Sequence, residues 1–306
     1  MNLNHLSLFL KVVERGNISA AAKELDMNQP ALSRFISRLE DELGAPLFER
    51  HPRGVEPNAF GKILLHYAQS IDANLRSALR HIETSGQDEI QIGAGYVWLH
   101  GPLSKALVKL HAQFPNTNIS VIAGMPYHLH GQLARGELDM VLGPTTLADV
   151  YSETLTPKRL MQLDLAVLVR RGHPWDDGRI CQTADLAELR WVLPEGTLIR
   201  NHFNQMFDAH GIVAPKPHVS VNDFSCALQI VAQSDLAIMA STADFQSNLT
   251  EKLASISCPE IEMLRYSGVT LRKNETPHPV CAALLEELQQ IIADPASPWA
   301  PPETPN

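Results

Sequence analysis

The chain has 306 residues, of which 44% are hydrophobic and 19% charged, enough for two domains each with its own core. No run approaches the length of a membrane span and the start is polar, so the expectation is a cytoplasmic protein with no signal peptide. The net charge of −9 looks wrong for a nucleic-acid binder until it is located: residues 1–87 hold ten Lys/Arg and ten Asp/Glu, while the remainder holds 15 against 24.

Residues 2–14 carry Leu3, Leu6, Leu8, Phe9, Val12 and Val13 on one helical face, and Gly16-Asn17 ends that helix. Ser19 to Leu25 is alanine-rich and opened by a serine, which predicts a short second helix. Asp26 and Met27 break it, and Asn28 offers a cap to the next. Gln29 and Pro30 fill that helix's first turn, where the proline's missing N–H removes no hydrogen bond. Leu32, Ile36, Leu39 and Leu43 recur at helical spacing as one buried stripe, with Ser33, Arg34, Ser37 and Arg38 on the opposite side. Two helices joined by a tight turn, the second showing hydroxyls and guanidinium groups, form a helix-turn-helix. Asn28, Gln29, Ser33 and Arg34 then stand near the end that enters a major groove. Pro46–Arg50 reads as a strand and Val55–Pro57 as its return, so Arg50 and Arg53 lie on a wing with Arg53 at its tip. Phosphate neutralisation supplies most non-specific affinity, so so weakly basic a module needs pairing with another.

From Asn58 to about Ser85, Leu64, Ala68, Ile71, Leu75, Ala78 and Ile82 step by four and three, a heptad seam suited to pairing two helices. A helix of that length reaches about 42 Å, more than the preceding domain can cover. Residues 84–88 read as a hinge. Beyond it, strands alternate with helices: Glu89–Ala94, Asn118–Ala123, Met140–Gly143, Leu163–Val169, Trp191–Leu193, Pro217–Val221, Leu236–Met239 and Glu262–Thr270. The intervening helices fall at Pro102–Phe114, Tyr127–Arg135, Thr197–His210 and Asp223–Gln233, with a last one at His278–Ala293. Such alternation predicts parallel strands with crossover helices. Cys181, Cys226, Cys258 and Cys281 form no CxxC pair and read as buried free thiols, and residues 294–306, with five prolines, read as disordered.

The stretches AAAKEL, NQPALSRFISRLEDELGAPLFER and GVEPNAFG resemble the N-terminal domain of LysR-type transcriptional regulators, with Asn28 and Asn58 standing where the family usually has serine and threonine. The resemblance implies an all-α winged helix-turn-helix domain (1–57), whose hairpin is the wing, and a linker and dimerisation helix with its hinge (58–87). It further implies a two-lobed α/β effector domain (88–293) like type 2 periplasmic binding proteins. One lobe would comprise about 88–163 and 266–293, the other about 164–265. Expected partners are double-stranded promoter DNA, a second copy bound through residues 58–85, a tetramer that bends DNA, a small-molecule effector and RNA polymerase. No cofactor or metal is expected apart from that inducer.

In open α/β sheets ligands sit beyond the carboxyl ends of strands. That rule selects Gly95, Tyr96, Val97, Trp98, Met125 and Thr145 in one lobe and Thr197, Asn222 and Asp223 in the other. Family members often carry Ser/Thr near Tyr96 to meet an inducer's carboxylate. Here Tyr96 and Trp98 favour a flat or aromatic ligand, Trp98 having a core-packing reading as well, while Thr197 keeps the family's GT pattern. His100, His128 and His130 read as exposed or internally satisfied. The chain has no GxSxG, HExxH, Walker A or glycine fingerprint, and nothing places a base beside Glu137 and Asp139, so it is not expected to be an enzyme. Two rivals remain. A constitutive DNA-binding oligomer would show no ligand-dependent stabilisation, and an enzyme with an appended helix-turn-helix would show turnover.

Overall fold

The computed structural model describes residues 3–52, 54–83, 89–146, 151–194, 197–241, 250–261, 264–294, 297 and 299. Three helices open the chain: α1 (Leu3–Arg15), α2 (Ile18–Glu24) and α3 (Gln29–Leu43). The cap of α2 is Asn17 and not the serine, because the asparagine oxygen reaches the N–H groups of both Ser19 and Ala20. Asp26 adopts φ 51 in the turn between α2 and α3, and Met27 N–H returns to Ala22 O at 2.9 Å. Asn28 caps α3 through Ala31 N–H at 2.8 Å. Leu32, Ile36 and Leu39 are buried as the stripe requires. Leu43, in the last turn before the left-handed Gly44 that caps the helix, is exposed.

The wing is the antiparallel pair β1 (Phe48–His51) and β2 (Gly54–Pro57). Gly54 has φ 150 and lies so close to the Gly16 carbonyl that no β-carbon fits, while Val55 N–H bonds the same oxygen at 2.8 Å. The wing is thereby pinned to the α1–α2 turn. Asn58 caps the long α4 (Ala59–Glu83), accepting from Gly61 N–H and donating to Pro46 O.

The C-terminal part is built on β3 (Glu89–Ala94), α5 (Tyr96–Leu99), α6 (Pro102–Gln113), β4 (Asn118–Ala123), α7 (Pro126–Ala134) and β5 (Met140–Pro144). The chain continues through β6 (Leu155–Arg170), α8 (Thr183–Leu186), β7 (Arg190–Pro194), α9 (Thr197–Asp208), β8 (Val219–Val221), α10 (Phe224–Ala232) and β9 (Leu236–Ser241). It ends with β10 (Leu253–Ile256), β11 (Leu264–Arg272) and α11 (Pro279–Ala293). Strands follow one hydrogen-bonded order, β4-β3-β5-β11-β6-β9-β7-β8, with β10 on the other edge of β6. The parallel pairs are β3 with β4 and β5, and β7 with β8 and β9; β6, β10 and β11 pair antiparallel. The expectation of parallel strands therefore holds within each lobe and fails at the crossings between them.

Those crossings divide the domain. β6 pairs with β11 up to Asp164, then from Leu165 onward with β9. One apolar core gathers Ile90, Ile92, Leu103, Leu110, Leu142 and Leu284 between the first half-sheet and α6 and α11. Separate cores around Trp191, Phe203 and Phe207 and around Leu168, Leu228 and Ile238 cover the two faces of the second. The first core also takes in Trp299, which lies against Gly101 with the Lys105 ammonium 5.2 Å above its ring. The tail read as disordered thus has an anchor, supplied by the one large aromatic among its prolines. Cys181, Cys258 and Cys281 are buried free thiols, but Cys226 is exposed on α10.

Candidate nucleic-acid interface and interlobe cleft

Pro30, Arg34, Ser37 and Arg38 are exposed and Ser33 half-buried on the side of α3 away from Leu32, Ile36 and Leu39, while Asn28 and Gln29 are exposed at its N-terminal end. The N–H groups of the first turn and the positive end of the helix dipole lie at the Gln29 end, which suits phosphate oxygens. The acids of α3, Glu40, Asp41 and Glu42, fall at its other end, where Glu40 accepts from Leu47 N–H at 2.7 Å. Charge is also sorted across the module. Arg15 and Lys11 hold the Glu24 carboxyl down at about 2, keeping those cations between α1 and α2. No described residue forms an ion pair with Arg34, Arg38 or the exposed Arg50 of β1, so these three remain available to an anionic partner. Arg53 lies outside the described residues.

The long helix divides the heptad seam between two surfaces. Ala68 is fully buried against Leu6, Phe9, Leu39 and Leu47, and Leu64 packs on the same cluster. The seam's own Ile71, Leu75 and Ile82 are exposed, together with Phe60, Ile63, Tyr67 and Leu79, which the spacing does not single out. The first two positions of the proposed seam hold α4 to its own domain, and the outward face begins one turn aside, at Phe60, Ile63 and Tyr67. Exposed apolar side chains in such a continuous row are uncommon on a monomer.

In the first lobe Gly95, Met125 and Thr145 follow β3, β4 and β5, whose registers put Ala94 beside both Ala123 and Leu142, so the three share one edge. Thr145 is buried and donates its hydroxyl to Tyr266 O at 3.2 Å. The four residues of α5 part company. Val97 packs on the first core. Trp98 is buried within it, its indole N–H donated to Ser267 Oγ at 2.8 Å, as the packing reading has it. Tyr96 goes the other way and packs against the second lobe, with its ring 4.9 Å from Phe224 and 4.3 Å from His100. Phe224 was not foreseen; an aromatic directly after a helix-capping Asn-Asp pair was the available signal. Asn222 and Asp223 are exposed where β8 ends, and Asp223 caps α10 through Cys226 N–H at 2.6 Å. That carboxylate occupies the place at the helix terminus where an anion would otherwise sit. Thr197 opens α9.

His130 is fully buried beneath this edge, 2.7 Å from Pro126 O through Nδ1 and 3.2 Å from Thr270 Oγ1 through Nε2, and burial pushes its pKa below the ordinary value. His128 is exposed beside it. Among the described residues no group of three His, Cys, Asp or Glu could hold a metal ion, and no helix is long and apolar enough to cross a membrane.

A winged helix-turn-helix on a long helix, followed by two α/β lobes joined by crossing strands, defines a DNA-binding regulator with a ligand-binding type of C-terminal domain. Profiles described as "Bacterial regulatory helix-turn-helix protein, lysR family" and "LysR substrate binding domain" match residues 3–62 and 83–293. The chain is 32% identical to the HTH-type transcriptional regulator GbpR of Azospirillum brasilense, over 77% of this chain and 70% of that one. It is 27% identical to the HTH-type transcriptional regulator GalR of Pseudomonas putida, over 95% and 74% respectively. A full-length BenM crystal structure matches with a TM-score of 0.53 and 25% identity, covering 96% of this chain and 97% of that one. The chain belongs to the LysR family of bacterial helix-turn-helix transcriptional regulators; it is a regulator and not an enzyme.

Proposed function

We propose that two chains pair through the exposed face of α4 and set their α3 helices on half-sites of promoter DNA about one helical turn apart. Two such pairs form a tetramer that bends the DNA in the cytoplasm, where RNA polymerase is its further partner. A small metabolite, flat and aromatic or anionic, enters between the lobes beside Tyr96 and favours one interlobe geometry, which alters the spacing of the DNA modules. The observation that carries this reading is the outward row of hydroxyl, amide and guanidinium groups on α3, free of internal ion pairing at Arg34 and Arg38.

The test is protection of the DNA flanking the coding gene by purified protein at low salt. Arg34→Ala should weaken binding and lower the salt dependence by about one phosphate if Arg34 meets the backbone. If Arg34 reads a guanine, the loss of about 1–3 kcal/mol falls at one base position. Unchanged affinity for Gln29→Ala, Ser33→Ala and Arg34→Ala combined defeats the assignment of α3. For the cleft, a metabolite screen by thermal shift separates a sensor, stabilised in proportion to ligand, from a constitutive oligomer.

A further inference from the structure

The strongest feature outside these two sites is a buried polar junction where the linker helix meets the first lobe. Asp139 accepts from Gln91 N–H at 2.8 Å and from the buried Ser77 hydroxyl of α4 at 3.4 Å, with Arg272 Nη2 3.8 Å away. Arg272 ends the crossing strand β11, and its guanidinium also donates to Leu138 O and Glu275. One turn earlier on α4, Gly136 (φ 72) brings lobe and helix so close that a β-carbon there would lie 2.7 Å from Ala73 Cα. Between these contacts runs a cavity of about 280 Å³ bounded by Asn74, Ser77, Asp139, Arg272, Glu275 and His278. A space that size holds several waters. The helix is therefore held on the lobe by directed polar bonds beside an open gap as well as by the Gly136 contact, and a polar hold is sensitive to a single charge.

We infer that Asp139, seated by Arg272 and bonded to Ser77, clamps α4 to the first lobe, so that the DNA-binding module follows that lobe while the second lobe moves against both. Ser77 and Asp139 are positioning residues: they touch neither DNA nor effector and set the direction in which α3 is presented. This rests on the DNA-binding reading above.

The test uses full-length protein on the fragment that wild type protects, and on the same fragment with its half-sites moved apart by about five base pairs, half a helical turn. Simultaneous engagement multiplies affinity by about 10²–10⁴, so wild type should lose at least about tenfold on the altered spacing. Ser77→Asp sets a second carboxylate against Asp139, opens the clamp and should cut that loss to about threefold or less. Ser77→Asn keeps a donor and should behave as wild type, while Ser77→Ala, which adds neither charge nor bulk, should move in the direction of Ser77→Asp. Spacing dependence equal to wild type in both Ser77→Asp and Ser77→Ala overturns the clamp. A wild-type protein that protects no fragment sinks the regulator reading itself, and the clamp with it.

Discussion

Tyr96 of the first lobe and Phe224 of the second meet across the cleft, ring centroids 4.9 Å apart and planes at 56°. Tilted aromatic pairs of this kind contribute about 0.5–1.5 kcal/mol beyond the area they bury. Tyr96 stands just beyond β3 and Phe224 opens α10, so the pair joins the two lobes at the carboxyl end of β3. Tyr96→Ala should loosen that closure and raise amide exchange at the start of α10, with the second-lobe core around Trp191 unaffected. Hydrogen exchange on the full chain measures this. Equal protection of α10 in both proteins would show that the ring pair holds nothing.

The outward face of α4 yields a prediction in which neighbouring residues behave oppositely. Tyr67 is 60% exposed and Ala68 fully buried. Tyr67→Asp should leave the fold intact and weaken self-association by about 2 kcal/mol or more, the range of a central aromatic contact. Ala68→Asp buries an unpaired carboxylate against Leu6 and Phe9 and should unfold the N-terminal domain. Sedimentation across a concentration series, with melting curves beside it, separates the two. A Tyr67→Asp protein that associates as wild type does would move the pairing surface elsewhere.

The difference between the seam read from spacing and the face the structure exposes shows where the sequence was legible. On α3 a single stripe is buried, and a glycine and an asparagine mark the ends, so pattern and caps suffice. On α4 two apolar stripes run side by side, one for the module's own core and one outward, and a four-three rhythm fits either. The first half of β6, TPKRLMQ, exposes Thr156 to Arg159 and gives only Leu160 and Met161 to the first core, so it lacks the apolar run that revealed Leu163–Val169. Helix α5 is four residues long and sends Tyr96 and Trp98 into different lobes, an arrangement that no periodicity expresses. Trp299 was hidden by its prolines, which argue for disorder by composition while one indole finds a core.

The cap of the recognition helix is a point where one atom should matter. Asn28 Oδ1 satisfies Ala31 N–H at 2.8 Å, one of the first-turn donors that α3 cannot satisfy internally. Asn28→Ala should cost about 1 kcal/mol of N-terminal domain stability and reduce DNA affinity, whereas Asn28→Ser should be close to neutral because serine caps as well. Denaturant titration of both variants reads the first effect and fluorescence anisotropy on a labelled fragment the second. Equal losses for alanine and serine would mean that the side chain acts on the DNA and not through the cap.

His130 links the packing of α7 on β11 to acidity. Burial disfavours its charged form and lowers its pKa, while the Pro126 carbonyl acts weakly in the opposite sense. The unfolded chain, titrating near the ordinary value of 6.5, therefore binds the proton more readily than the folded one. The stability contributed by the neutral ring is present above that value and is lost as pH falls from it through the lower folded pKa. Protonation would also turn Nε2 from an acceptor for the Thr270 hydroxyl into a second donor, loosening α7 from β11. His173, also lowered by burial, adds to the slope, so the informative quantity is the difference between proteins. Melting temperatures of wild type and His130→Gln should diverge least in acid and most above neutrality, the variant's profile being the flatter. Two parallel profiles would show that His130 keeps its partners whatever its charge.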